Sequence, residues 1–159
     1  MEHTSASRAA RAEELFIQGY SCAQAVLGAF CDVTGLDFDT SMRLASSFGA
    51  GMGRMREVCG ACSAMFMVAG LVFGPTDTDP QKKGDQYARI QEMAESFQKE
   101  NGTLICRDLL AALKTDTRPT PEERNASYYK VRPCLRFVRD AAEITDEYLR
   151  AHGALSDSV

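Results

Sequence analysis

An all-α fold, a single-domain helical bundle of about six or seven helices, is what the sequence predicts, on three observations. The residues are largely helix formers, and apolar positions recur at helical spacing along most of the chain. The gaps between these stretches carry helix stop and start signals, among them Gly74-Pro75, Asp79-Pro80 and Asn101-Gly102. Finally, 159 residues, 45% of them hydrophobic and 25% charged, suffice for one core without covalent staples. One domain is expected over residues 1–159, with its core at about 8–152 and short flexible termini.

Arg8 to Gln18 reads as an amphipathic helix with Leu15 and Phe16 near its end, interrupted by Gly19 and Tyr20. Ser21 then reads as an N-cap with Gln24 three residues on, the capping-box pattern. The helix it opens carries Cys22, Val26, Leu27 and Phe30 and is expected to end near Gly35. Asp39 or Thr40 is the expected cap of a helix containing Met42, Leu44, Ala45 and Phe48. A glycine-rich loop, Gly49-Ala50-Gly51-Met52-Gly53, leads into a long apolar helix from Val58 to Phe73. Asp79-Pro80 opens another, running to about Glu100, with Tyr87, Ile90, Met93, Ala94 and Phe97 on one face. Thr103 caps a short helix through Leu113. Thr115 to Arg132 reads as a loop with one helical turn at Glu122 to Ser127. Pro133 suits the first position of the last helix, which carries Leu135, Phe137, Val138, Ala141, Ala142, Ile144 and Leu149. Ser156 to Val159 is expected to be a loose tail.

Composition excludes several functions. With 18 basic and 22 acidic side chains the net charge is −4, and no basic run occurs, so nucleic acid is not an expected partner. Met1 to Glu14 has no apolar signal core, and the run Val58 to Phe73, broken by Gly60, Ser63 and Gly70, falls short of the ~20 residues of a membrane span. No membrane association and a cytoplasmic location follow as expectations. The only histidines, His3 and His152, lie near the termini, which speaks against histidine acid–base catalysis and histidine-ligated zinc. Neither Gly-x-Ser-x-Gly nor His-Glu-x-x-His occurs.

Six cysteines stand out: Cys22, Cys31, Cys59, Cys62, Cys106 and Cys134. In a reducing compartment such a set points to metal binding or redox chemistry, although at least one is expected simply to pack as a small hydrophobe. Cys22, Cys106 and Cys134 fall in the first turn of an expected helix, where unpaired N–H groups and the helix dipole favour a thiolate. Cys59 and Cys62 form Cys-Gly-Ala-Cys; on a helix they share one face, as a dithiol, as two metal ligands, or as part of a small-residue packing face. Cys31, half a turn from Cys22 on a continuous helix, is the favoured structural cysteine. The glycine loop lacks a P-loop ending and follows no strand, so it is read as a tight connection whose N–H groups can bond sulfur. Arg54 and Arg56 are placed to stabilise thiolate charge, or else are simply solvated.

Ser21-Cys22-Ala23-Gln24-Ala25-Val26, the glycine loop ending in Cys59-Gly60-Ala61, Cys106-Arg107 and Cys134 together resemble the C_GCAxxG_C_C family of redox-active proteins, over about Leu15 to Ile144. The resemblance implies four functional cysteines, Cys22, Cys59, Cys106 and Cys134, with Cys31 and Cys62 as extras. The family motif would place glycine at position 64, where this chain has Ala64, a methyl that would narrow the approach to Cys59. A fainter similarity, to the iron–sulfur portion of split-Soret cytochromes, implies a [2Fe–2S] cluster; no Cys-x-x-Cys-His haem site occurs.

Four readings follow. The first is electron transfer through an iron–sulfur cluster on those four cysteines, serving a redox partner protein that the sequence does not name, with a homodimer as a further expectation. The second is thiol–disulfide catalysis or sensing, with Cys59 attacking and Cys62 or another cysteine resolving. The third is a structural zinc site with four cysteine ligands, although only one close cysteine pair exists. The fourth is a helical interaction domain without catalysis.

Overall fold

The computed structural model describes residues 7–156. His3 and the residues 157–159 of the expected tail lie outside them. Nine helices occur among the described residues, more than the expected six or seven, and there is no sheet, only an isolated antiparallel bridge between Val58 and Ile105.

Helix α1 (Arg8–Ile17) starts where the Ser7 hydroxyl accepts from the Ala10 N–H at 3.1 Å, and it buries Ala9, Ala12, Leu15 and Phe16. Helix α2 (Cys22–Gly28) has the full capping box: Ser21 Oγ accepts from Gln24 N–H at 3.2 Å, and Gln24 Oε1 accepts from Ser21 N–H at 3.0 Å. The expected single helix to Gly35 is broken. The N–H groups of Ala29 and Phe30 turn to the carbonyls of Val26 and Leu27, three residues back, and close α2 early. Fully buried Phe30 then holds a non-helical backbone, and α3 (Cys31–Thr34) starts afresh.

The cap of α4 (Phe38–Ala45) is Asp37, rather than Asp39 or Thr40, because its carboxylate reaches the Thr40 N–H at 2.7 Å. Phe48 lies beyond this helix, and Leu44 is 46% exposed. Helix α5 (Gly60–Phe73) begins two residues later than expected. Val58 is held in the bridge, and the Cys59 N–H donates to the Leu104 carbonyl at 2.8 Å. Helix α6 (Pro80–Asn101) has Asp79 as its cap and buries Met93 and Phe97; Tyr87, expected on the same face, is 63% exposed because the first half of α6 runs clear of the bundle.

Helix α7 (Cys106–Leu109) is shorter than expected and has Ile105 at its cap. The Thr103 hydroxyl instead accepts from the Ile105 N–H at 3.1 Å and shapes the approach to the helix. The single turn expected at Glu122 to Ser127 is displaced: Asn125 caps α8 (Ala126–Val131). In α9 (Cys134–Ala151), Pro133 stands one place earlier than expected, at the cap, so Cys134 is the first helical residue.

Helix α5, apolar on all sides, is the centre of the bundle. It buries Ala61, Cys62, Ala64, Met65, Val68 and Ala69 against α2 and α9, with α6 laid across α5 and α9. Helix α1 packs along α9 and α2, and α4 covers α2. Phe16, Leu15, Leu27, Phe30, Met65, Phe97 and Leu149 are among the largest fully buried side chains. At about 1.5–3 kcal/mol for each large apolar side chain removed from water, this core dominates the favourable side of folding. Among the described residues no helix is long and apolar enough to cross a membrane. His152, expected near a disordered end, is packed: its ring stacks on Tyr148 with centroids 3.9 Å apart.

Candidate functional site

Cys22, Cys106 and Cys134 are each the first residue of a helix, and Cys59 is the cap residue of another. All four line a single cavity of about 400 Å³. Their convergence has a local cause in each case. The Ser21–Gln24 box fixes where α2 begins and therefore where Cys22 stands. Cys59 and Cys106 are tied together by the bridge: Cys59 N–H donates to Leu104 O, Cys106 N–H to Glu57 O at 2.6 Å, and Arg107 N–H to Arg56 O at 3.2 Å. Pro133 sets the start of α9 and so places Cys134.

Two glycines let the backbone close on these cysteines. A Cβ at Gly60 would stand 2.6 Å from Cys22 Sγ and 2.6 Å from Phe48 O. One at Gly51 would stand 2.7 Å from Cys106 Cβ and from Arg56 Cα. The loop between them is wound left-handed. Ala50, Met52, Arg54 and Arg56 have φ of 54°, 67°, 65° and 62°, in alternation with Gly51 and Gly53. Such a conformation costs a non-glycine residue roughly 1–2 kcal/mol, and strain of this kind gathers at functional sites. The loop holds itself together with bonds such as Arg56 N–H to Ala50 O and Glu57 N–H to Gly51 O at 2.9 Å. It also turns the Ala50 N–H toward the Cys22 sulfur.

Metal-free, the four thiols are held in the protonated form. Burial, followed by repulsion from Cys59, pushes Cys22 up to about 12. Burial and the nearness of Cys22, Cys59 and Cys106 do the same to Cys134, also to about 12. Cys59 is pushed well above the ordinary thiol range by its hydrogen bond with Cys62 and then by burial. Cys106 is raised by burial, opposed by Arg56, whose Nη1 lies 3.8 Å from its sulfur. Cys22, Cys59, Cys106 and Cys134 lie near enough for each to feel the charge of others.

Cys62 is fully buried beneath Cys59, in the core and off the cavity wall. Cys31 is apart from the quartet as expected, its Sγ 3.4 Å from Ser41 Oγ, although the continuous helix behind that expectation does not exist. Ala64, at the motif's glycine position, is fully buried in the core and does not line the cavity, so its methyl does not narrow the approach to Cys59.

Part of the cavity wall was not legible in the sequence. Arg56, read as a thiolate stabiliser or else as solvated, is 4% exposed. Glu122, Arg124, Tyr128, Arg132 and Phe137 also line the cavity, four of them from the segment read as a surface loop. Arg132 is ion-paired with Glu122, and Arg124 donates to the carbonyls of Phe16 and Tyr20 at 2.7 and 2.9 Å. The density of arginine in that segment was the available signal.

The donor set fits an iron–sulfur cluster: four thiols on one cavity, with backbone N–H groups turned toward sulfur and glycines where a Cβ would fill the space. It fits a single ion less well. Among the described residues no three Cys, His, Asp or Glu side chains close on one metal position.

No curated protein and no solved structure matches the chain. A family model described as "Putative redox-active protein (C_GCAxxG_C_C)" matches residues 20–148, a span that takes in the bridge, the left-handed loop and all four cavity cysteines, and the chain belongs to that family.

Proposed function

We propose that this protein carries electrons through an iron–sulfur cluster held by Cys22, Cys59, Cys106 and Cys134. The observation that supports this reading is that four cysteines, far apart in sequence, start four helices and open on one cavity. When bound, the cluster supplies reversible one-electron chemistry, and a [2Fe–2S] form is the nuclearity we favour. The chain's own contribution is to hold four thiols on the wall of one cavity. It also directs the Ala50 N–H at Cys22 sulfur and the Arg56 guanidinium toward Cys106, which favours the thiolates and raises the potential of whatever they hold. The partner on this reading is a redox protein of the cytoplasm.

The test is the iron, acid-labile sulfide and zinc content, with a visible spectrum, of protein purified without oxygen. Equal iron and sulfide, with absorbance that bleaches on reduction, is the expected result. A colourless protein that stays empty after reconstitution overturns it.

One observation favours a second reading. Cys59 and Cys62 are hydrogen-bonded neighbours, as an attacking thiol and its resolving partner would be. Against it, Cys59 is held as a thiol, whereas an attacking cysteine needs thiolate character. Alkylation followed by mass spectrometry decides: fast, selective labelling of Cys59 in metal-free protein would transfer the function to dithiol chemistry.

A further inference from the structure

The cavity has a second wall, and thiol chemistry does not account for it. Arg54, Arg56 and Arg132 have side chains only 11%, 5% and 8% exposed, and all three turn to the one carboxylate of Glu122. Arg54 has further partners, the Asp116 carboxylate at 3.3 Å and the Arg118 carbonyl at 2.5 Å. Arg132 has the close pair with Glu122. Arg56 is left short. Its Nε donates to the Asp116 carbonyl at 3.1 Å, and its Nη1 reaches Cys106 Sγ only at 3.8 Å. Its Nη2 is buried with no hydrogen-bond partner, Glu122 Oε1 being 3.7 Å away.

Three guanidiniums face the Glu122 and Asp116 carboxylates, and Asp116 is shared with Arg118, so positive charge is in excess at this wall. Buried charge is costly unless it is paired, and a buried N–H without a partner adds to the cost. The guanidinium fork matches the paired oxygens of a carboxylate or an oxyanion. We propose that the cavity is a binding site for a small oxyanion or carboxylate, seated on Arg56 with Arg54 and Arg132 beside it, facing the cysteine wall. Room is sufficient: a tetrahedral oxyanion takes roughly 100 Å³, a few waters' worth at ~30 Å³ each, and the cavity holds about 400 Å³. Bound there, the anion lies next to the redox centre, as a substrate or a ligand tuning that centre would. The site stands on the arginines alone and does not depend on what the cysteines carry.

The test is isothermal titration of the full chain, purified without oxygen, with inorganic phosphate and separately with acetate, at constant ionic strength against chloride. Saturable binding of either anion is expected. Arg56→Gln should weaken it about tenfold to a hundredfold, the loss of a charge-assisted bonded pair. Glu122→Gln should tighten it, because the competing carboxylate is gone. Arg139→Gln, on α9 away from the cavity and paired with Glu13, should leave it unchanged. No heat beyond that of chloride, or equal affinity in Arg56→Gln, overturns the proposal. If Arg56→Gln does not fold, failure of Glu122→Gln to tighten binding overturns it just as well. Iron is assayed on the same samples after reconstitution, so phosphate binding by a protein that stays iron-free would sink the electron-transfer reading and leave this one standing.

Discussion

Two glycines of α5 make a matched pair. Gly60 is its first residue and Gly70 lies in its last turns. Alanine is the better helix former by ~0.5–1 kcal/mol at an interior position, so on propensity alone neither substitution should harm the fold. The surroundings separate them. A Cβ on Gly70 meets nothing within 4 Å, and Gly70→Ala should stabilise the protein by about 0.5–1 kcal/mol. A Cβ on Gly60 stands 2.6 Å from both Cys22 Sγ and Phe48 O, where ordinary contact begins at 3.4 Å, so each neighbour must retreat by 0.8 Å. The Phe48 oxygen is backbone, leading into the strained loop, and cannot yield cheaply. Overpacking of this kind costs ~1–3 kcal/mol, which leaves Gly60→Ala destabilised by up to about 2.5 kcal/mol, mid-range about 1.25 kcal/mol, once propensity is credited. At ~2–4 °C per kcal/mol for a chain of this length, mid-range values move the two melting temperatures in opposite directions and separate them by roughly 4–8 °C. Thermal melts followed by circular dichroism on metal-free protein measure this. Iron uptake should fall in Gly60→Ala alone, because Cys22 Sγ is displaced. Equal stabilisation by both substitutions, with iron uptake intact, would refute the close approach of α5 to Cys22.

Serine in place of Cys22, Cys59, Cys106 or Cys134 should abolish stoichiometric iron, whereas Cys31→Ser, whose sulfur meets only Ser41 Oγ at 3.4 Å, should retain it; metal analysis of the five variants checks both halves. Ala50→Val places a β-branched side chain at φ 54° and should cost at least about 1 kcal/mol in urea denaturation. The Asp37 carboxyl is held below its ordinary range by the Thr40 N–H and hydroxyl it caps. Its folded pKa thus lies below its unfolded one, so its contribution is present above the unfolded value and is lost as pH falls through the folded value. The melting-temperature advantage of wild type over Asp37→Asn should accordingly shrink as pH is lowered from 7 to 3.

Local rules carried much of the fold into view. The Ser21–Gln24 box and Asp79-Pro80 start helices where their chemistry says they should, and the box places Cys22 at a helix start. For Cys106 the expected cap, Thr103, is not the cap, and the set of four came from the family resemblance. Cys59 was harder to place. Val58 continues the apolar run, so the sequence puts Cys59 inside a helix; only pairing with Ile105, distant in sequence, makes it a cap. The break at Phe30 was hidden for a related reason, because apolar spacing continues across it while burial of the ring fixes the backbone. Left-handed turns at Ala50, Met52, Arg54 and Arg56 have no signature in non-glycine residues. For Arg54 and Arg56 the sequence left open a place beside a thiolate or in solvent, because what decides it, the approach of Glu122 and Cys106, is reached across the fold.

The bridge between Val58 and Ile105 has a consequence for how the chain tolerates change. The helices α5 and α6 leave the site at Cys59 and return to it at Cys106, and the two ends of this excursion are clamped to each other by three backbone hydrogen bonds. The far end, where Gly74 to Asp79 turns from α5 into α6, makes none of the clamp's hydrogen bonds. Lengthening or shortening that turn, or fusing another protein into it, should leave the spacing of Cys59 and Cys106 untouched, whereas a single residue inserted between Val58 and Cys59 would throw the two out of register. The molecule thus offers a point of attachment at the opposite end of α5 from Cys59.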